Sequence, residues 1–480
     1  MAKVLLTHCN HLFYDRKQVR KMQPYPPLQT LIVAALLRRE GFGVALFDAT
    51  LEEPEQGFRE ALSRHQPDVV ALCEDNFNFL TKMCLTRNRE LAFAMARLAK
   101  EQGIPVLANS SDASQQPAVY LQNGVDYIIL GEVELTLIEL LRTLPAGHRT
   151  GLEGIRGLAY VSPASGKIRC NPPRQPIATL DELPMPAWDM VDMESYRAAW
   201  REAHGYFSLN MVSSRGCPFR CNWCAKPIHG QSYHSRAAER VAREMRFLKT
   251  NYAPDQIWFA DDIFALSPSW AASFAEAVEK LDARIPFKMQ SRCDLMTRDT
   301  AAALKRAGCE EIWMGAESGS QRVLDAMDKG IRVGDIYRAR ENLRRHKIRA
   351  CYFLQFGYPG ERWEDIQQTI RMVRETEPDD VGISVSYPLP GTEFHRRVAA
   401  ELGSKRNWAE SGDLAMMFRG AYSNGFYRAL HDAIHRELEI RRATNGRLVE
   451  AQLLHDIWHE VEELRSTTIN PSPTLIWTCS

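Results

Sequence analysis

The chain has 480 residues, 45% apolar and 25% charged, and its 60 basic and 60 acidic side chains balance to a formal net charge of zero. That balance gives no support to nucleic acid or an anionic membrane surface as a partner, and no run of about 18 apolar residues offers a spanning helix. Eleven cysteines without a framework of spacings argue against a secreted disulfide scaffold and predict a reduced, cytoplasmic setting. Thr7, His8 and Asn10 interrupt the apolar start, so no signal peptide is expected.

Residues 1 to about 145 alternate strands and helices. Apolar runs at Val4–Leu6, Val44–Phe47, Val69–Cys73, Ile104–Leu107 and Tyr127–Leu130 read as five strands. Leu28, Leu31, Ile32, Ala35 and Leu36 recur at helical spacing between the first two. Strands that are apolar throughout, separated by helices, predict a parallel sheet covered on both faces, a doubly wound α/β domain. Ligands of such domains bind beyond the carboxyl ends of the strands. The fifth strand ends there in Gly131-Glu132-Val133-Glu134.

Residues 146–205 read as a connector, punctuated by Ala146-Gly147-His148 and Asn171-Pro172-Pro173. Gly157–Val161 and Gly166–Ile168 form a small hairpin within it. A second α/β alternation spans 206–395. Its six strands lie near Phe207–Val212, Gln256–Ala260, Phe287–Gln290, Glu311–Met314, Ala350–Leu354 and Val381–Val385. Six strand–helix units make a partial barrel, whose chemistry belongs at the carboxyl ends of the strands.

The loop after the first of these strands is Ser213-Ser214-Arg215-Gly216-Cys217-Pro218-Phe219-Arg220-Cys221-Asn222-Trp223-Cys224. Three thiolates spaced C-x3-C-x2-C can hold three irons of a 4Fe–4S cluster and leave the fourth iron to a ligand that is not protein. The competing reading is a partial zinc site, for which His229 is the nearby fourth ligand. Later strand ends carry Asp261-Asp262, Gly315-Ala316-Glu317-Ser318, Gly357-Tyr358-Pro359-Gly360-Glu361 and, after Val385, Ser386-Tyr387. Each is weak alone, since carboxylates there could equally cap helices or pair with arginines.

In this order, behind the cysteine motif, the strand ends resemble the cobalamin-associated class of radical S-adenosylmethionine (radical SAM) enzymes. The resemblance implies an N-terminal Rossmann-like cobalamin-binding domain, a partial (β/α)6 radical SAM barrel, and three cofactors: a 4Fe–4S cluster, SAM and cobalamin. It implies that Cys217, Cys221 and Cys224 hold the cluster and that Trp223 faces adenine. Asp261 and Asp262, which the sequence does not separate, stand at the aminoacyl end of SAM. Gly315, Glu317 and Ser318 stand at its ribose and carboxylate, and Ser386 and Tyr387 along its adenine. Gly131, Glu132 and Glu134 belong to the corrinoid loop. The first loop, Thr7-His8-Cys9-Asn10-His11, lacks Asp-x-His-x-x-Gly, so a corrinoid would sit without histidine coordination.

Residues 396–480 read as helical. Trp408–Phe418 leads into a helix with Phe426, Leu430 and Ile434 on one face, and a poorly ordered tail begins at Ser466. Met416, Met417 and Phe418 read as core rather than as a substrate wall. The resemblance implies methyl transfer to an unactivated carbon of a small molecule, driven by an external donor such as flavodoxin or ferredoxin. The rival is an oxidative cyclisation like that of the anaerobic magnesium-protoporphyrin ester cyclases.

Overall fold

The first sheet is built from strands that are apolar on both sides because helices cover both sides. In the computed structural model, which describes residues 2–144, 151–404, 407–443 and 451–467, these are β1 (Lys3–Thr7), β2 (Gly43–Leu46), β3 (Val69–Cys73), β4 (Val106–Asn109) and β5 (Tyr127–Ile129). Val4, Leu6, Val69, Ala71, Leu107 and Ile129 enter one core, whereas Leu5, Val70, Leu72, Val106, Ala108 and Ile128 enter another. This two-residue alternation on a twice-covered sheet is what the apolar runs predict. The five strands are parallel in the order β2-β1-β3-β4-β5. The chain reverses direction across the sheet between β1 and β3, where doubly wound domains open a crevice.

The hairpin that the sequence places in the connector belongs to this sheet. Its strands β6 (Leu158–Val161) and β7 (Ile168–Cys170) extend it to seven strands, with β6 antiparallel to β5 and Tyr160 opposite Tyr127. Leu158 and Tyr160 fill one face and Ala159 the other, so the hairpin completes the core rather than bridging two domains.

All six barrel strands form: β8 (Ser208–Met211), β11 (Gln256–Phe259), β12 (Phe287–Ser291), β13 (Cys309–Glu317), β14 (Arg349–Phe356) and β15 (Asp380–Val385). They pair in parallel with their neighbours in sequence, from β8 at one edge to β15 at the other. A short antiparallel pair, β9 (Ser214–Arg215) with β10 (His234–Ser235), stands beyond β8. The N-terminal domain packs against the β8 edge. Asn210 donates to the Pro26 carbonyl at 2.9 Å, Tyr25 Oη meets Ser208 Oγ at 3.1 Å, and Trp200 Nε1 donates to the Pro24 carbonyl at 2.6 Å.

The C-terminal region holds helices Asn424–Ala443 and Ala451–Thr467. The Trp408–Phe418 stretch is not helical. It runs irregularly over the barrel, tied by Trp408 Nε1 to the Ala415 carbonyl at 2.7 Å, with Met417 and Phe418 buried. Ala146-Gly147-His148 and the tail beyond Thr467 lie outside the described residues. No helix among the described residues is long and apolar enough to cross a membrane.

Trp200 is fully buried and its ring packs 5.2 Å from that of Tyr25. Trp200→Ala removes a large aromatic and orphans the Pro24 carbonyl, and is expected to cost about 3–5 kcal/mol. A lowered urea midpoint, followed by tryptophan fluorescence, checks this.

Candidate active site

The cysteine loop is clamped at its base. β9 and β10 pair across it, and Arg236 N–H donates to the Ser213 carbonyl at 2.8 Å. Gly216 carries φ +79°, and a Cβ there would stand 2.2 Å from the Ser232 carbonyl oxygen, so only glycine fits. Asp261, at the end of β11, accepts from the Ser213 amide at 3.0 Å and from the hydroxyls of Ser213 and Ser214 at 2.6 and 2.5 Å. Burial lifts its carboxyl to about 6 against these hydrogen bonds. Asp261 therefore anchors the loop from inside the barrel.

Asp262 faces the other way and pairs with Lys82 of the N-terminal domain. The structure thus separates two aspartates that are alike in sequence.

Between the cysteines, Asn222 fastens the loop to three other strand ends. Its amide donates to the Ala326 carbonyl at 2.8 Å and to Asp328 at 2.7 Å, and its Oδ1 accepts from Tyr358 at 2.7 Å. Phe394 N–H donates to the Asn222 carbonyl at 3.0 Å. Lys226 Nζ donates to the carbonyls of Cys217 and Phe219. All three thiols are partly exposed, and burial pushes that of Cys224 up to about 12. Among the described residues no three His, Cys, Asp or Glu side chains converge on a single ion. Cysteines that each hold a different metal atom need no such convergence. His229 is turned away toward Glu132, 3.3 Å from its Nδ1, and stacks on Phe77.

Further round the barrel mouth, Glu317 accepts from Lys329 at 2.8 Å, both side chains buried, with Glu317 at φ +58°. A Cβ on Gly315 would meet Lys329 Nζ at 2.5 Å and Glu317 Oε1 at 2.6 Å, so that glycine makes room for the ion pair. Lys329 also lies over the Trp223 ring, whose Nε1 is buried without a partner. Ser318 is turned into the core, 3.1 Å from Thr369 Oγ1, and Ser386 accepts from Gln355 at 2.9 Å. Tyr387 Oη accepts from the Trp408 amide at 3.1 Å and holds the C-terminal stretch. Glu361 neither caps a helix nor meets an arginine. One oxygen accepts from the Gly357 amide at 2.6 Å, the other has no partner, and burial raises the carboxyl to about 8.

The N-terminal sheet presents its strand ends to this mouth. Gly131 takes φ +77° and its carbonyl accepts from Asn109 at 2.8 Å. Glu132 and Glu134 do not face a vacant crevice; both are bound to Arg215, two residues before Cys217. Arg215 donates to Glu132 at 3.1 Å and to Glu134 at 2.5 Å, and Gln29 donates to Glu134 at 2.8 Å. Glu132 also accepts from the Ile177 amide at 2.5 Å. His8 is buried, with Nε2 3.0 Å from Asp48 and Nδ1 accepting from the Asn10 amide at 3.3 Å, so both ring nitrogens are engaged. Asp112 is drawn back by Arg89 and Tyr120. Five buried polar atoms beyond β3 and β4 have no partner: Glu74 Oε2, Asn76 Oδ1, Thr81 Oγ1, Ser111 Oγ and Ser114 Oγ.

Sequence reasoning missed Arg215, Asn222 and Lys82. Two of them lie inside or beside the cysteine motif, but the partners of their side chains stand 81 to 136 residues away.

Removing the guanidinium leaves two buried carboxylates without a countercharge. Arg215→Met is therefore expected to cost about 3–5 kcal/mol, measured by urea unfolding. Burial alone would raise the Glu132 carboxyl, but the His229 hydrogen bond and Arg215 outweigh it and hold the group at about 2, against 4.5 normally. A depressed carboxyl contributes stability above its unfolded value and loses it as pH falls through the folded one. The urea midpoint should therefore fall between pH 4.5 and about 2, and less steeply in Glu132→Gln.

Residues 211–373 match the model of the radical SAM superfamily. An uncharacterised methyltransferase of Pyrococcus horikoshii is 27% identical over 88% of this chain and 93% of its own. The anaerobic magnesium-protoporphyrin IX monomethyl ester cyclase of Rubrivivax gelatinosus is 24% identical over 79% of this chain and 67% of its own. Among solved structures, the cobalamin-dependent SAM radical enzyme OxsB, with aqua-cobalamin and S-adenosylmethionine bound, superposes with TM-score 0.74 at 17% identity, covering 98% of this chain and 72% of that one. The cysteine loop clamped beyond the first strand of the six-stranded parallel sheet lies within the 163-residue segment (residues 211–373) that matches the radical SAM superfamily, so this part of the chain is a radical SAM domain, and the chain is similar over most of its length to a methyltransferase and an ester cyclase.

Proposed function

We propose that the chain is a cobalamin-dependent radical SAM enzyme that methylates an unactivated carbon of a small molecule. The observation that carries this reading is the placement of the C-x3-C-x2-C loop where the barrel mouth meets the strand ends of the N-terminal sheet. The residues fit the cofactors. Three partly exposed thiols on one clamped loop suit a cluster with one open iron. The unpartnered oxygens of Glu74, Asn76, Thr81, Ser111 and Ser114 suit the amide-rich rim of a corrinoid, because buried polar atoms need partners. With both His8 nitrogens engaged, that corrinoid would lack a histidine ligand from this residue.

With SAM and an electron from an external donor such as flavodoxin or ferredoxin, a cluster of this kind supplies the 5′-deoxyadenosyl radical, and a corrinoid supplies a methyl carrier. The chain's own residues bind and orient. Cys217, Cys221 and Cys224 hold the cluster. Glu317, positioned by Lys329 in the space Gly315 leaves, accepts hydrogen bonds from the ribose or amino group of SAM. Trp223 Nε1 is a free donor for adenine. Asp262 stands at the aminoacyl end, while Asp261, Ser318, Ser386 and Tyr387 support the walls. Gly131 offers close backbone approach to the corrinoid.

A second reading, oxidative cyclisation, is favoured by the likeness to the Rubrivivax cyclase, which extends over most of this chain. Anaerobic reconstitution should give about four irons per chain and about one bound cobalamin, and the triple Cys→Ala variant should lose the iron. With SAM bearing a trideuterated methyl group, methyl transfer places the label in product, and 5′-deoxyadenosine and S-adenosylhomocysteine accumulate in comparable amounts. Unlabelled product formed in step with 5′-deoxyadenosine alone would favour the cyclase.

A further inference from the structure

One charge at the barrel mouth comes from the other domain. Lys82 closes the short helix Phe79–Lys82, on the segment that follows β3 of the N-terminal sheet. Its ammonium contacts Asp262 Oδ1, and the two side chains keep only 18% and 24% of their exposure. Burial opposes charge on both, yet each holds the other ionised: the lysine is raised by Asp262, and the aspartate is lowered by Lys82 before His229 and Lys226. The pair stands beside the cysteine loop. Asp262 directly follows Asp261, whose carboxyl accepts from the hydroxyls of Ser213 and Ser214 at the start of that loop. Lys226, the other ammonium there, is bound to the carbonyls of Cys217 and Phe219 inside the loop, which leaves Lys82 as the cation in contact with Asp262.

We infer that Lys82 is a positioning residue by which the N-terminal domain sets the reduction potential of the cluster: its ammonium neutralises Asp262 beside the cysteine loop. This rests on the cluster assignment made above. The potential of an iron–sulfur cluster follows the net charge and solvent exposure around it. An uncompensated carboxylate at close range opposes the added electron, and an added cation favours it. The segment that presents Lys82 also holds Thr86, whose amide donates to the Trp408 carbonyl at 3.0 Å, and Cys84, whose carbonyl accepts from Asn407 at 3.1 Å. The lysine is thus delivered by a strap fixed at both the N-terminal sheet and the C-terminal region.

The test is an EPR-monitored redox titration of the reconstituted full chain without SAM, alongside iron content and thermal midpoint. K82M should keep its iron and shift to lower potential, so that at fixed solution potential the reduced-to-oxidised ratio falls about tenfold, or about 59 mV for one electron. K82R should stay at the wild-type value, D262N should shift upward, and K82M/D262N should return close to wild type. A purely structural role would lower the thermal midpoint without this reciprocal pattern. A K82M potential equal to wild type, or a double variant matching K82M alone, would overturn the inference while leaving the cluster assignment intact. Should K82M bind too little iron to titrate, an unmoved D262N potential would overturn it equally. A wild-type chain that takes up no cluster would overturn both.

Discussion

The arrangement depends on one buried ion network. Arg215, two residues before the first cysteine, is 3% exposed and lies between Glu132 and Glu134 at the end of β5. Charges at that depth must be paired, because an orphaned one costs several kcal/mol. The two domains consequently have little freedom to slide: moving the N-terminal sheet would strip the guanidinium from both carboxylates. Phe77 packs on Arg215 and stacks against His229, so apolar contact seals the same joint. The cysteine loop is therefore seated by the neighbouring domain as much as by its own barrel.

Within the barrel, the loop is held at several points along its length. Asp261 grips its start, Asn222 its middle, and Lys226 its carbonyls. Gly216 allows the turn. These contacts leave the three thiols partly exposed and Trp223 Nε1 without a partner, with the Glu317–Lys329 pair beside the Trp223 ring. Rigid support of a reactive site by satisfied polar contacts is how a protein orients a cofactor whose chemistry is not its own.

Much of this was legible in the sequence, because it rests on local signals. Apolar runs between helices located the five parallel strands of the first sheet and the six of the second, and cysteine spacing located the loop. What escaped depends on distant pairing. Glu132 and Glu134 read as a ligand loop, since nothing local shows that Arg215, more than 80 residues on, would bind them. Asp261 and Asp262 are adjacent and chemically alike, and only the alternation of a strand end sends one to the serines and the other to Lys82. The hairpin over 158–170 was visible, but its pairing with β5 was not. Trp408–Phe418 is rich in apolar residues because it covers the barrel, which its composition shares with a helix.

The central claim is that the clamped cysteine loop binds SAM and cleaves it reductively. Quantifying 5′-deoxyadenosine from the anaerobically reconstituted full chain with dithionite and SAM tests it most directly. The account predicts 5′-deoxyadenosine in amounts proportional to the enzyme, and none from Cys224→Ala. Formation at equal rates in both, or in neither despite a full complement of iron in the wild type, would contradict it.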